Sequence, residues 1–139
     1  MAELTERIAA ELENIDGVLA RVPAVESLAD LSELELAGVA ALIQSFYNGV
    51  ENIVKQVLQA RGIALPTGES WHKELLESAS TAGVLSSETA LSIRDYLAFR
   101  HFFTHAYAFD VDPQRLEPLV ANLVRVDAAF RRDLAQVTS

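Results

Sequence analysis

The segment Arg100-His-Phe-Phe-Thr-His105-Ala-Tyr107 gathers the residue types best suited to chemistry. An arginine grips a phosphate with a planar fork of donors, a histidine moves a proton near neutral pH, and a tyrosine presents a hydroxyl. With nine arginines, three histidines and three tyrosines in 139 residues, the spacing R-x4-H-x-Y is expected far less than once by chance. His101 and His105 are also an i, i+4 pair, the helical spacing of a metal site, for which Asp110, Asp112 or His72 are candidate third ligands; no glutamate stands between the two histidines at the zincin position. Phe99, Phe102 and Phe103 can stack on bases or pack into a core. Arg94 can add a phosphate contact or sit in solvent paired with Asp95 or Glu88. Trp71-His72-Lys73 follows a glycine-containing loop, where a helix start flanked by Arg61 and Lys73 suits an anion, unless Trp71 is simply an apolar anchor. Other chemistries are missing: there is no cysteine, no phosphate-binding glycine loop and no nucleophile-elbow serine.

The elements that must position these groups are helical. Leu4, Ile8, Leu12, Ile15 and Leu19 recur at three- and four-residue spacing and predict a helix over residues 2–21, ended by Val22-Pro23. Asp30 or Ser32 can cap a second helix over 34–60, whose wide apolar stripe runs from Leu36 to Leu58 and stops at Arg61-Gly62. Ile63–Ser70 reads as a loop, with Ser70 capping a short helix over 71–80. Ser86 or Ser87 caps a fourth helix over 88–108, and after the break at 109–113 a last helix runs from Arg115, or from Pro118, to 136. The expected fold is an all-α antiparallel helical bundle of four long helices and one short one, a single domain over 1–139.

At about 100° per residue, Arg94, His101 and His105 share one face of the fourth helix, within about 40° of one another. Tyr96, Arg100 and Tyr107 share another. Arg100 and His105 lie about 140° apart, with Thr104 between them. A helix with polar groups spread this way needs two faces of contact, one for its own bundle and one for a second surface.

The R-x4-H-x-Y pattern at Arg100, His105 and Tyr107 resembles the signature of HEPN-domain ribonuclease toxins, in particular the HepT-like family. The helix order, with the motif on the penultimate helix, agrees over most of the chain, although the motif alone is specific. The resemblance implies a homodimer whose paired motifs form one composite site. It implies metal-independent endoribonuclease activity of a type II toxin–antitoxin pair, with no cofactor. RNA carries its own nucleophile, the 2′-hydroxyl; a base takes its proton and an acid protonates the leaving 5′-oxygen. His105 is then the proton-transfer residue and Arg100 the phosphate-positioning residue, with His101, Thr104 and Arg94 as accessory candidates. The resemblance also implies a minimal nucleotidyltransferase antitoxin that transfers AMP to Tyr107, whose alternative role is an amphipathic tyrosine at the core edge. Tyr107 aside, the alternative functional reading is a non-catalytic HEPN module that binds nucleotide or partners a nucleotidyltransferase; a structural bundle with an accidental motif is the third. His101 departs from the common pattern, in which a polar residue such as asparagine often follows the arginine.

Half the residues are hydrophobic and 22% are charged, the balance of a folded globular chain. The net charge of −9 and a pI near 4.7 argue against a broad nucleic-acid surface, and DNA is not an expected partner. Most acids precede Glu88; beyond it Arg94, Arg100, Arg115, Arg125, Arg131 and Arg132 bring the motif-bearing part close to neutral. No apolar run is long enough for a bilayer, and the start Met-Ala-Glu-Leu-Thr-Glu-Arg lacks the features of a signal peptide, so a cytoplasmic location is the default expectation.

Overall fold

The first apolar stripe forms helix α1, Ala2–Arg21, with Ile8, Ile15 and Val18 on its buried side. A 3-10 turn over Val25–Asp30 then buries Leu28 and carries the chain to α2, Glu33–Ala60. The computed structural model describes residues 2–138, and no strand occurs among them. Of the two caps considered for α2, Ser32 is the one used. Its hydroxyl accepts from the Glu35 amide at 3.1 Å, while the Glu35 carboxylate accepts from the Ser32 amide at 2.9 Å. Two amides that the first helical turn leaves unpaired are satisfied reciprocally.

Helix α2 is the spine of the bundle. Ile43, Phe46, Tyr47, Val50, Ile53 and Leu58 are all fully enclosed. The α1 helix crosses it at Gly49, where a Cβ would stand 2.9 Å from Ile15 Cγ1, so glycine is what lets the two backbones approach. Glycine also ends α2: Gly62 has φ 73°, which turns the chain so that the Ile63 amide reaches back to the Leu58 carbonyl at 3.0 Å.

Helix α3, Trp71–Thr81, is short and buries Leu75, Leu76 and Ala79. Ser70 precedes it but does not cap it with its side chain. Its backbone, at φ −98° and ψ 20°, is outside the extended conformation that aims a capping oxygen at the first turn. Helix α4, Ser87–His105, is capped by Ser86, whose hydroxyl accepts from the Thr89 amide at 3.1 Å. The Ser86 amide in turn donates to Asp133 at 3.0 Å. Tyr96 makes α4 central: its ring meets Phe46 of α2 edge-on at 5.2 Å, and its hydroxyl donates to the Leu119 carbonyl at 2.7 Å. Burial pushes the Tyr96 phenol well above its ordinary value, with Asp95 adding to the shift and Arg125 opposing it.

The fourth helix stops three residues before the expected end at 108. The Tyr107 amide donates to Asp110 Oδ2 at 3.2 Å, and Ala106 is already extended at ψ 157°. A local carboxylate thus offers the amide a partner outside the helix, the usual way an aspartate competes with helical hydrogen bonds. A 3-10 turn, Ala108–Asp110, leads into α5, Pro113–Thr138. This last helix starts earlier than either expected position. Asp112 Oδ1 accepts from the Gln114 amide at 2.8 Å, and Pro113 supplies a first-turn residue with no amide to satisfy. Pro118 lies within the helix instead of starting it. At the far end, Arg131 ties α5 to α1 through Asp16 at 2.7 Å.

Candidate active site

Position 100 lies beside the buried stripe of α4, between the core residues Tyr96 and Phe99 and the solvent side. Arg100 is half-buried, and its Nε donates to Asn48 Oδ1 of α2 at 3.2 Å. Among the described residues no hydrogen bond or ion pair holds its terminal nitrogens. The guanidinium is therefore anchored by its inner nitrogen while the outer fork stays available, the geometry a bidentate phosphate contact requires. Its positive charge also acts on the neighbouring Tyr47 phenol.

His105 occupies the last turn of α4 and is exposed. His101 is exposed one turn earlier, its ring 4.8 Å from that of His105 at 66°. Arg94 is exposed on the same side and makes no ion pair with Asp95 or Glu88 among the described residues. Thr104, exposed beside them, turns its hydroxyl back to the Arg100 carbonyl at 2.8 Å. The expected separation of Arg100 from the histidine face is thus present, one partly inside the bundle and the other outside it.

Tyr107 departs from the helical expectation. Because α4 has ended, it does not share a face with Tyr96 and Arg100; it sits at φ −77°, ψ 149° on the following turn. It is 72% exposed and stacks nearly parallel on Phe109, itself 64% exposed, at 5.4 Å. The reading of Tyr107 as a tyrosine at the core edge is therefore overturned. The metal reading of the histidine pair loses its third ligands in the same way: His72 binds Glu51, Asp110 accepts from Tyr107, and Asp112 caps α5. No group of three metal-ligating side chains comes together among the described residues. The phenylalanines divide: Phe99 is core, while Phe102 and Phe103 pack partly against it, with the Arg115 guanidinium 3.8 Å over the Phe102 ring.

Sequence reasoning missed the polar groups that α2 contributes. Tyr47 and Glu51 are buried one turn apart, and the Tyr47 hydroxyl donates to Glu51 Oε2 at 2.7 Å. His72 Nδ1 lies 2.5 Å from the same oxygen. Burial, the bond to Glu51 and its charge push the Tyr47 phenol far above its ordinary value, against the pull of Arg100. The signal was available: Glu51 is a carboxylate directly after Val50 in the middle of an apolar stripe, a position where burial is costly without partners. Trp71-His72-Lys73 is not an open helix start, because His72 is engaged and Trp71 is partly buried under the Lys55 ammonium, 4.7 Å from its ring.

A concavity of about 390 Å³ runs between α4 and α5 and is lined by Ser92, Asp95, Tyr96, Phe99, Arg115 and Arg125 among others. No helix among the described residues is long and apolar enough to cross a membrane.

No curated protein and no solved structure gives a significant match to the chain. A family described as HepT-like protein matches residues 38–139, from the first turns of α2 to the end of the sequence and including Asn48, Arg100, His105 and Tyr107. The chain belongs to this HepT-like family, a HEPN-type family whose members are typically ribonucleases.

Proposed function

We propose that the protein is an endoribonuclease toxin that cleaves RNA by internal transesterification and is held in check by a nucleotidyltransferase antitoxin. The observation that carries this reading is the anchoring of Arg100. Asn48 holds its Nε, and the outer fork has no protein partner among the described residues. Arg100 binds the scissile phosphate and neutralises the charge that builds on it. His105 moves a proton of the 2′-hydroxyl or of the leaving 5′-oxygen. The products are a 2′,3′-cyclic phosphate and a 5′-hydroxyl. His101, Thr104 and Arg94 border the site as accessory groups.

Two copies form the working unit. Leu91, Tyr107 and Phe109 are large, exposed and apolar, and all three lie on α4 or the turn that follows it. The stacked, exposed Tyr107 and Phe109 just beyond α4 fit burial against a second subunit, which would bring two motifs to one cleft. Confinement of the RNA contact to that cleft is compatible with a net charge of −9. The exposure of Tyr107 fits a role as an AMP acceptor, since the added phosphate would put negative charge beside the proposed site for an RNA phosphate.

Inducing the chain in cells beside Arg100→Ala and His105→Ala, at equal expression, tests the reading. Growth arrest and new RNA fragments with the wild type alone are expected. Equal fragmentation by all three would overturn it; no arrest or fragmentation by any would favour a non-catalytic partner of the nucleotidyltransferase. Tyr107→Phe should keep the nuclease and lose the 329 Da class of AMP adduct, roughly the mass of one adenylyl group, after incubation with the antitoxin and ATP.

A further inference from the structure

The transesterification requires two proton transfers, and the motif supplies one histidine on each chain for them. Glu51, Tyr47 and His72 form a buried polar cluster that the motif does not use. Glu51 is only 5% exposed, and a carboxylate so enclosed needs donors and counter-charge. It receives the Tyr47 hydroxyl and His72 Nδ1 on one oxygen, Oε2. With Glu51 Oε2 as acceptor, Nδ1 would be the donor and Nε2 the ring nitrogen left for exchange. His72 itself keeps 22% of its side chain exposed, so the imidazole is not sealed in with its partner.

The cluster adjoins Arg100. Asn48, which anchors the arginine, and Glu51, which anchors the histidine, are three residues apart on α2, and such pairs are neighbours on a helix surface. Tyr47 is the link: Arg100 acts on its phenol electrostatically, and its hydroxyl shares Oε2 with His72.

We propose that His72 is a further catalytic residue of the ribonuclease site, the acid that protonates the leaving 5′-oxygen, with Glu51 as its positioning residue. This rests on the ribonuclease reading above. In the step, the 2′-oxygen gives its proton to His105 and forms a bond to phosphorus. The bond from phosphorus to the 5′-oxygen breaks, and that oxygen takes the proton from His72 Nε2. The division of labour follows from the surroundings. Glu51 supplies the counter-charge an imidazolium needs, whereas exposed His105 has no carboxylate partner among the described residues. Tyr47 shares Glu51 Oε2 with His72, Lys55 lies over the neighbouring Trp71 ring, and Lys73 and Glu74 follow His72 on α3, while Arg100 acts on the Tyr47 phenol from α4.

The test uses an RNA oligonucleotide spanning a site that the wild type cuts, and the same oligonucleotide with sulfur in place of the bridging 5′-oxygen. A thiolate leaves without an acid. His72→Asn keeps a donor toward Glu51 but cannot shuttle a proton; His72→Gln is the second variant should the first melt early. Either should cleave ordinary RNA about 100-fold more slowly and lose the alkaline limb of the pH–rate profile. On the sulfur substrate it should return to within several-fold of wild type. Glu51→Gln should lie between the two on ordinary RNA. Cleavage of ordinary RNA by a folded His72→Asn or His72→Gln protein within threefold of wild type overturns the assignment. So does an equal loss on both substrates. If Arg100→Ala and His105→Ala cleave as well as the wild type, the ribonuclease reading itself has failed, whatever His72 does.

Discussion

Truncating Asn48 to alanine isolates the anchoring of Arg100 from the presence of Arg100. In the wild type the Nε–Oδ1 bond is 3.2 Å, at the long end for an N–H donor, and both side chains are half-buried. Hydrogen bonds to charged groups contribute about 1.5–3 kcal/mol, and length and partial solvation place this one at the lower end, about 1.5 kcal/mol. The amide is also half in solvent, so its removal should cost the fold no more than about 1 kcal/mol. If the bond serves to hold the guanidinium toward the phosphate, nearly all of its value appears in the barrier. The cleavage rate should then fall about tenfold, since 1.36 kcal/mol is one decade. Arg100→Ala should fall much further, because it removes the charge as well. Single-turnover cleavage of a labelled RNA by wild type, Asn48→Ala and Arg100→Ala, with thermal melts of each, measures all of this. An Asn48→Ala protein that cleaves within twofold of the wild type, while Arg100→Ala is inactive, would refute the idea that α2 orients the arginine.

The fold offers two further perturbations with defined sign. Gly49→Val places a branched side chain where even a Cβ meets Ile15 Cγ1 at 2.9 Å, and Ile15 is 1% exposed and unable to yield; a loss of about 2 kcal/mol or more is expected from denaturant midpoints. Asp133 gives a pH signature: burial raises its carboxyl, but the hydrogen bond from the Ser86 amide and the polar Thr89 and Ser86 side chains beside it, with Arg132 nearby, hold it below the usual range. A depressed carboxyl stabilises the fold above its unfolded value near 4, and that contribution is lost as pH falls through the lower, folded value. Asp133→Asn should therefore be less stable than wild type by about 1–2 kcal/mol at pH 7, and melts should show the gap closing below about pH 4. A constant gap from pH 7 to pH 2 would contradict the assignment.

The helices were legible because their stripes are long and their stops are chemical. Leu36 to Leu58 keeps one face for a whole spine, and Gly62 ends it with a φ that other residues avoid. The end of α4 was not legible, because the sequence through Ala106-Tyr107-Ala108 continues to favour a helix; a carboxylate three residues after Tyr107 decides otherwise. That one hydrogen bond moves Tyr107 off the helix and out into solvent. The site divides along the same line. Arg100, His105 and Tyr107 stand out as candidates because they are close in sequence. Asn48, Glu51 and His72 are 52, 49 and 28 positions from Arg100; Asn48 meets it, and Glu51 and His72 meet each other, only through the packing of α2 against α3 and α4. Tyr47 falls within the apolar stripe from Leu36 to Leu58, which is right for its ring and silent about its hydroxyl.

The packing also explains why one helix can serve two purposes. Ile93, Tyr96 and Phe99 seat α4 between α2 and α5, and this fixes its rotation. Once that rotation is set, Arg100 must fall at the α2 border, where Asn48 meets it, and Arg94, His101 and His105 must fall outside. A single subunit therefore cannot enclose His105 with its own bundle. Under the proposed function, whatever desolvates that histidine would have to come from beyond the chain, a second copy or the RNA. His72 differs in this respect, since its carboxylate partner is already buried within the same subunit. If both histidines move protons as proposed, His105 would do so only in an assembly and His72 within each chain alone. A dilution series of the wild type, followed by light scattering and by cleavage in parallel, should show activity on ordinary RNA falling with the dimer. Full activity in a monomeric sample would remove the need for the second copy.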